Sequence, residues 1–336
     1  MPNISRDIIV VGASAGGVEA LQLLTANLPV DLGASVIVVL HMPVGGPSAL
    51  PAILRRSCRL PVVPAENGIQ LEHGHVYVAV PNRHLLVVDG ALRLSLGPTE
   101  SGHRPSIDAL FRSAARAAGP RVIGVVLSGA LDDGTAGLTS ITARGGAAVI
   151  QDPADALYPG MAENALRAVK TEFVVTAQEM GTVLTKLVSR QVEVSEVPPL
   201  DPSTTVEADI AERGEWEVDD QMRSIATPSG FSCPDCEGSL LELPDTNRYR
   251  CRVGHAWSAN ALAAQKDSEL ERALWKALRT LDEKASLTRR LRTTALARGS
   301  ALVAARYQGA IEEAEHAANV LRTFLHAEAV IGESGS

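Results

Sequence analysis

Short runs of β-branched residues alternate with longer stretches rich in alanine and leucine over the first 190 residues. Most positions within the runs are apolar, which is typical of strands buried on both faces of a parallel sheet. The pattern predicts an α/β fold: a doubly wound, mostly parallel sheet with helices on both faces. The expected strands are residues 7–11, 35–40, 76–80, 121–127, 147–151 and 173–176, and the clearest helices are 18–27, 106–118 and 161–169.

The pattern changes after residue 190. Residues 191–228 are rich in proline and in acidic side chains, which predicts an acidic flexible linker between two folded parts. Residues 229–257 hold a cluster of cysteines and a histidine, and residues 258–330 carry leucines at helical spacing. Because Arg298-Gly299-Ser300 interrupts the last segment, we expect it to form two helices packed as a hairpin.

Charge and hydropathy exclude several classes of protein. The formal net charge is −8 and 21% of the residues are charged, so we expect no basic surface for nucleic acid or anionic lipid. No segment reaches the roughly 18 to 20 apolar residues of a membrane span. The N-terminus also lacks the apolar core of a signal peptide. We therefore expect a cytoplasmic protein without membrane insertion.

A sharp turn of small residues follows the first predicted strand, in Gly12-Ala13-Ser14-Ala15-Gly16-Gly17. A dinucleotide site would need glycine at the position of Ser14, because the pyrophosphate approaches the backbone there. The turn fits the pattern G-x-S-x-G, which lifts a serine hydroxyl above the end of a strand. It predicts a nucleophilic serine. Two alternative interpretations of the turn are a phosphate-binding turn of a nucleotide-binding oxidoreductase and a turn that only connects a strand to a helix.

A serine nucleophile needs a base, and the base needs a third group that orients it. His41 directly follows the apolar run 36–40, which places it at the carboxyl end of the second strand. Ser14 lies at the same edge of the sheet, where sites assemble in parallel sheets. We expect the remaining histidines of this half to be surface or structural residues. They are His73, His75, His84 and His103.

Two acidic residues follow a third predicted strand. Asp132 and Asp133 come shortly after the apolar run 125–127, and either carboxylate could reach His41. Both could instead cap the helix expected to begin near Thr135, which is a common use of aspartate. What favours a catalytic role is that serine, histidine and acid each follow a different strand.

These residues resemble the catalytic domain of CheB, the chemotaxis protein-glutamate methylesterase. The nucleophile turn of that family reads Gly-Ala-Ser-Thr/Ala-Gly-Gly, as in residues 12–17, and its His-Met-Pro motif is present at 41–43. Its Gly-Met-Gly-x-Asp-Gly turn is matched in part by residues 129–134, which selects Asp133 over Asp132. With further matches at 104–111 and 151–161, the resemblance involves five motifs in order, over about residues 5–185.

The resemblance implies that residues 1–190 hydrolyse glutamate γ-methyl esters on the cytoplasmic helices of methyl-accepting chemoreceptors or similar proteins. Related enzymes also deamidate glutamines. Ser14 would attack the ester, His41 would act as base and then acid, and Asp133 would orient the imidazole. Backbone N–H groups at Ala15 and Ala130 are candidate oxyanion donors. No cofactor is implied for catalysis.

Two departures from the family pattern qualify this expectation. Ala130-Leu131 replaces a Met-Gly pair beside the acid, and Ala15 stands where many members have threonine. The alternative is therefore a catalytically silent adaptor that binds receptor methylation segments. The best-known members also carry a receiver domain before the esterase, whereas this chain starts at the first esterase strand. We expect no control by an aspartyl phosphate on the same chain.

The cysteine cluster has the spacing of a four-ligand zinc site, Cys233-x2-Cys236-x14-Cys251-x3-His255. No fifth ligand is implied, so we expect a structural zinc ion, which a segment this short needs because it buries little core. The module and the helices after it resemble extensions of some stand-alone methylesterase homologues. The apolar stripe of those helices predicts intramolecular core, with homo-oligomerisation or docking to a sensory partner as open alternatives.

Overall fold

The predicted alternation of strands and helices is present in the structure, a computed structural model that describes residues 3–43, 45–193, 197–213, 226–244 and 246–333. The chain divides into two compact units, Met1–Leu262 and Ala263–Ser336. In the described ranges, none of the helices combines the length and the apolar character that crossing a membrane requires.

The strands and helices are numbered separately along the chain. The strands are β1 (Asn3–Ser5), β2 (Ile8–Ala13), β3 (Ser35–Leu40), β4 (Val62–Pro64), β5 (Val76–Val78), β6 (His84–Val88), β7 (Ala91–Ser95), β8 (Val122–Val126), β9 (Ala147–Gln151), β10 (Val174–Val175), β11 (Gln191–Glu193), β12 (Thr227–Ser232), β13 (Ser239–Leu243), β14 (Arg248–Cys251) and β15 (Ala256–Ser258). The helices are α1 (Gly17–Ala26), α2 (Leu50–Leu54), α3 (Ile107–Ala118), α4 (Thr135–Ala143), α5 (Gly160–Ala168), α6 (Ala177–Ser189), α7 (Pro202–Arg213), α8 (Ala259–Ala297) and α9 (Ala301–Glu333).

A seven-stranded parallel sheet in the order β10-β9-β8-β2-β3-β5-β4 lies at the centre of the larger unit. Successive side chains of its central strands enter two separate cores. Val11 packs on the face that includes Leu21 of α1, and Val10 packs on the opposite face with Phe111 of α3. Both faces are therefore buried, and the predicted α/β fold is confirmed.

The path of the chain through this sheet explains where functional side chains can meet. From β2 the chain moves to β3 on one side, and it later returns to β8 on the other side of β2. The carboxyl ends of β2, β3 and β8 therefore meet where the winding reverses, which is where open α/β sheets bind ligands. Residues that follow these three strands share one edge of the sheet.

Residues 202–213 correct the prediction of a flexible linker at 191–228. They form α7, in which Val206 and Ile210 are buried and pack against Leu243 of β13. Glu207 of the same helix is also buried, and one of its carboxylate oxygens accepts hydrogen bonds from two arginines of β14. Acidic composition alone could not reveal these partners, because they come from about 40 residues further along the chain. Residues 194–196 and 214–225 of the predicted linker lie outside the described residues.

The segment that carries the cysteine cluster forms a four-stranded antiparallel sheet in the order β12-β13-β14-β15. We call residues 226–262 the ribbon module. It belongs to the same compact unit as the parallel sheet. Arg248 and Arg250 of β14 are buried and form ion pairs with Glu100 of the α/β domain and with Glu207 of α7.

The smaller unit holds most of two long helices, α8 and α9. They run antiparallel, as shown by a core shared by Leu278, Ala318 and Leu325 and by an ion pair between Arg322 and Asp282 at 2.7 Å. Gly299 lies between the helices with φ of +69°, a left-handed conformation that favours glycine. The helical hairpin predicted from the break at this residue is confirmed.

Replacing Glu207 by glutamine is expected to destabilise the larger unit by about 3 kcal/mol, because Arg248 and Arg250 then lose one of the buried carboxylates that balance their charges. Burial raises the pKa of Glu207, but the charges of Arg248, Arg112 and Arg250 outweigh that effect and lower it to about 2. The contribution is therefore complete above the ordinary pKa of 4.5 and is lost as the pH falls toward 2. Urea unfolding at about pH 7 and about pH 3 measures both effects.

Glu212→Gln on the same helix is the matched control. The carboxylate of Glu212 pairs with Arg93 at 2.6 Å, but both side chains are partly exposed. Solvent weakens such a pair, so we expect a loss of about 0.5 kcal/mol or less. Equal losses of stability in the two variants would contradict the importance assigned to the buried ion pairs.

Candidate active site

Ser14 stands in the turn between β2 and α1. Its backbone N–H donates to the carbonyl of Ser128 at 2.9 Å, and its own carbonyl accepts the N–H of Gly17 at 2.9 Å. Gly16 has φ of +70°, and a Cβ there would lie 2.7 Å from the Oγ of Ser128. The turn therefore requires glycine at that position. It holds the Ser14 hydroxyl at the carboxyl edge of the sheet, beside the start of a helix.

His41 lies between a hydroxyl and a carboxylate. Its backbone N–H donates to the carbonyl of Ala13 at 3.1 Å, which fixes the chain just after β3. The imidazole Nδ1 is 3.1 Å from the Oγ of Ser14, and Nε2 is 2.7 Å from Oδ2 of Asp133. With the proton assigned to Nε2, that nitrogen donates to Asp133 and Nδ1 accepts the hydroxyl proton of Ser14. The structure thus brings together the three residues singled out in the sequence.

The carboxylate of Asp133 is anchored at the start of α3. It accepts the backbone N–H groups of Ile107 at 2.8 Å and Asp108 at 3.0 Å, and the hydroxyl of Ser106 at 3.1 Å. Burial would raise the pKa of Asp133, but the hydrogen bond and charge of His41, together with the two N–H groups, hold the pKa well below its usual value. The acid is therefore ionised near neutral pH.

Asp132 has different partners. Its two carboxylate oxygens accept a hydrogen bond from the hydroxyl of Ser258 at 2.6 Å and one from the amide of Asn260 at 3.2 Å, both in the ribbon module. The sequence spacing alone left open which of the two acids reaches His41, and the structure gives that contact to Asp133.

His103 is part of the site although the sequence predicted a surface or structural role for it. Its ring stacks on that of His41 with a centroid distance of 3.7 Å and an interplanar angle of 13°. Burial, and then the charge of His41, lower the pKa of His103 to about 4, so the ring is neutral near neutral pH. A neutral ring here covers one face of His41 and limits its rotation. The sequence offers one indication of this contact: His103 lies three residues before Ser106, which caps α3.

The backbone N–H groups of Ala15 and Ala130 lie close to Ser14. Ala15 follows Ser14 in the chain, and Ala130 follows Gly129, where a Cβ would lie 2.8 Å from the Cβ of Ser14. Within the part of the chain that the structure describes, neither N–H donates to another protein group. Two such donors beside a nucleophile are able to bind an oxyanion.

Exposed apolar side chains lie on the segments that adjoin the Ser14 turn. Leu131 is 40% exposed, Leu157 is 72% exposed and Tyr158 is 48% exposed. The carbonyl of Tyr158 accepts the N–H of Gly129 at 2.9 Å, so this loop is held against the turn next to Ser14. Apolar side chains left in solvent beside a nucleophile are able to contact a bound molecule.

The predicted metal ligands also come together. One ligand atom each from Cys233, Cys236, Cys251 and His255 lies within 4.8 Å of all the others. The Sγ atoms of Cys233 and Cys251 are 3.7 and 3.5 Å from Nδ1 of His255. Ligands of a tetrahedral ion with bonds of about 2.0 to 2.3 Å are roughly 3.3 to 3.8 Å apart, so the four residues could hold a metal ion.

Comparison with known proteins gives one consistent result. Residues 9–184 match the family model described as CheB methylesterase. The crystal structure of the Thermotoga maritima CheB methylesterase catalytic domain is similar, with a TM-score of 0.53 and 30% sequence identity over 55% of this chain and 100% of that chain. The match to the family model leaves α7 and the ribbon module outside.

Relatives with curated descriptions give the same picture. The chain is 34% identical over 191 residues to a relative from Leptospira interrogans, which covers 56% of this chain and 99% of the relative. It is 39% identical over 180 residues to the protein-glutamate methylesterase/protein-glutamine glutaminase 1 of Geobacter metallireducens, over 52% of this chain and 49% of that protein. Each alignment thus covers little more than half of this chain.

Replacing Gly129 by alanine is expected to displace Ser14 from His41. A Cβ at residue 129 would lie 2.0 Å from Sδ of Met161 and 2.8 Å from Cβ of Ser14. The end of the Met161 side chain can move, but the Cβ of Ser14 is fixed to its turn. We expect the rate at which a fluorophosphonate probe labels Ser14 to fall at least about tenfold. Gly45→Ala is the control because its Cβ would meet nothing within 4 Å. Equal labelling of both variants would refute the prediction.

Proposed function

The chain belongs to the CheB methylesterase family, and from this premise we propose that it is a carboxylic ester hydrolase acting on glutamate γ-methyl esters. The expected substrate is the cytoplasmic helical region of a chemoreceptor or a similar methylated protein, which puts the enzyme in the cytoplasm. The observation that carries the proposal is the continuous chain of hydrogen bonds from Ser14 through His41 to Asp133.

The reaction is an acyl transfer in two halves. The Oγ of Ser14 attacks the ester carbonyl while Nδ1 of His41 takes its proton, and the N–H groups of Ala15 and Ala130 stabilise the oxyanion. His41 then gives the proton to the departing methoxide, which leaves as methanol. A water molecule deprotonated by His41 attacks the acyl-enzyme, the bond from the acyl carbon to Oγ of Ser14 breaks, and His41 returns the proton to Oγ as the glutamate side chain is released. Asp133 remains ionised throughout and stabilises the imidazolium. A glutamine amide can follow the same path with ammonia as the leaving group.

The surroundings of Ser14 support a protein substrate. Leu157 and Tyr158 stand exposed beside the turn, so an apolar side chain next to the reacting glutamate has a partner on the enzyme. A receptor helix presents side chains at three- and four-residue spacing on one face, which suits such an open surface. Binding energy from these remote contacts can be used to orient the ester against Ser14.

We further propose that the ribbon module holds a structural zinc ion. Three thiolates and one imidazole form a donor set that zinc prefers, and they would fill all four positions of a tetrahedral ion. With no open position the ion would bind no substrate. Its contribution is to the folding of the module, whose own apolar core is small.

Ser14→Ala is expected to abolish methanol release from a methyl-labelled receptor cytoplasmic fragment, because no other group can take over the attack. The measurement is the initial rate of labelled methanol formation, and the expected loss is at least about a thousandfold. Ser189→Ala, at an exposed position at the end of α6, is the control and should retain the wild-type rate. Absence of methanol release by folded wild-type protein would instead favour the silent adaptor.

Cys236→Ser is expected to lower the zinc content of the purified protein well below one ion per chain and to destabilise the ribbon module. The reason is that three ligands close the tetrahedron incompletely and bind the ion more weakly. Elemental analysis after dialysis and thermal unfolding are the measurements. Cys58→Ser is the control, since Cys58 lies apart from the cluster and packs against the core of the α/β domain. Full zinc content in Cys236→Ser would remove the assignment.

A further inference from the structure

The ribbon module lies outside the part of the chain that matches the family model, yet it contacts three segments that build the candidate active site. The first segment is residues 99–103, whose last residue is His103. The second is the start of α3, where backbone N–H groups bind Asp133. The third is the turn 129–133, which carries Asp133 itself. Each contact uses different residues of the module: Ala256, Arg248, and Ser258 together with Asn260.

The first contact is made by backbone atoms. The N–H of Ala256 donates to the carbonyl of Thr99 at 3.1 Å, and the N–H of Ser101 donates to the carbonyl of Ala256 at 2.6 Å. The module therefore adds a short strand pairing to the segment that ends at His103. Since His103 stacks on His41, this pairing limits the freedom of a ring in the site.

The second contact is an ion pair at the start of α3. Nη1 of Arg248 donates to Oδ2 of Asp108 at 2.6 Å, and the other carboxylate oxygen of Asp108 accepts the N–H of Gly137 at 2.7 Å. The backbone N–H of Asp108 donates in turn to the carboxylate of Asp133 at 3.0 Å. Arg248 is buried and thus fixes, through Asp108, one of the donors that holds the acid.

The third contact reaches the turn that carries Asp133 itself. The hydroxyl of Ser258 donates to Asp132 at 2.6 Å, and the amide of Asn260 donates to the same carboxylate at 3.2 Å. The preceding residue, Leu131, has φ of +61°, a left-handed conformation that is unfavourable for leucine. A turn with such a residue keeps its shape only where its neighbours hold it, and here the module supplies two of the hydrogen bonds.

From these contacts we propose that Ser258 and Arg248 are positioning residues for the esterase reaction. Through Asp132 and Asp108 they hold Asp133, and with it His41, in the reactive geometry. Neither touches the substrate or the reacting atoms. The inference rests on the proposed function and deepens it, because it makes the ribbon module a part of the catalytic frame and not a separate appendage.

Ser258→Ala tests the proposal with little disturbance, since it removes one hydroxyl. We expect kcat for methanol release to fall roughly tenfold with KM unchanged, because small misplacements of a catalytic group are costly while substrate contacts are preserved. Ser258→Thr keeps the hydroxyl and should restore most of the rate. The Ser258 hydroxyl donates to Asp132 and accepts the N–H of Ala261 at 3.1 Å. Ser229→Ala is the matched control, because the Ser229 hydroxyl likewise donates once, to the carbonyl of Leu240 at 2.8 Å, and accepts once, from the N–H of Phe231 at 3.2 Å. It should stay within about twofold of wild type.

A double-mutant cycle identifies the route of the effect. If Ser258 acts through Asp132, the losses of kcat in Ser258→Ala and Asp132→Asn will not multiply in the double variant. A general loosening of the module would give independent effects, and Ser229→Ala would share them. Arg248→Lys extends the test to the second contact, because lysine keeps the charge but loses the planar geometry of the guanidinium.

The rate of Ser14 labelling by a fluorophosphonate probe separates failure of this proposal from failure of the proposed function. That rate depends on His41 and Asp133 but not on a methyl ester. Slower labelling in Ser258→Ala would support the positioning role even if the receptor fragment proved to be the wrong substrate. Wild-type labelling and kcat in Ser258→Ala would overturn it. If folded wild-type protein neither labels nor releases methanol, both proposals are wrong.

Discussion

The burial of an ionised carboxylate at Asp133 is the constraint on which the rest of the site depends. A buried charge is tolerated only where hydrogen bonds replace the lost water, and here the donors come from His41, the Ser106 hydroxyl and two N–H groups at the start of α3. These donors fix the position of α3 relative to β3 and the turn after β8. The hydrogen bond between Asp133 and His41 also orients the His41 ring toward Ser14. One interaction therefore contributes both to the packing of the fold and to the geometry of the reaction.

A second buried set of charges joins the α/β domain, α7 and the ribbon module. It contains three arginines and three carboxylates, which balance one another and come from three separate segments of the chain; they are Arg112, Arg248, Arg250, Glu100, Asp108 and Glu207. Buried ion pairs add little net stability over apolar packing, but an unpaired member is costly. Their physical effect is therefore to make one docking arrangement far better than its alternatives.

Local patterns predicted much of the site, and contacts distant in sequence account for what they missed. Ser14 and His41 each follow a buried strand, so alternation and turn composition were enough to place them at one edge. Asp133 could not be separated from Asp132 by spacing, because neighbouring residues share the same turn and only their partners differ. His103 gave no periodic signal, since its contact is a ring face from a loop. The helix at 202–213 was missed because its buried acid looks solvated until the arginines of β14 are known.

The two sets of charges are linked by short stretches of chain. Glu100 binds arginines of the module and lies three residues before His103, while the Asp108 side chain binds Arg248 and its N–H binds Asp133. A displacement of the ribbon module would therefore move both neighbours of the His41 ring, which are the stacked ring of His103 and the carboxylate of Asp133. Such a coupling needs no long pathway, because each link is one hydrogen bond or a few residues of backbone. Cys251 of the cysteine and histidine cluster ends β14, and His255 directly precedes β15, so the cluster lies beside the two strands whose residues contact the segments around His41 and Asp133.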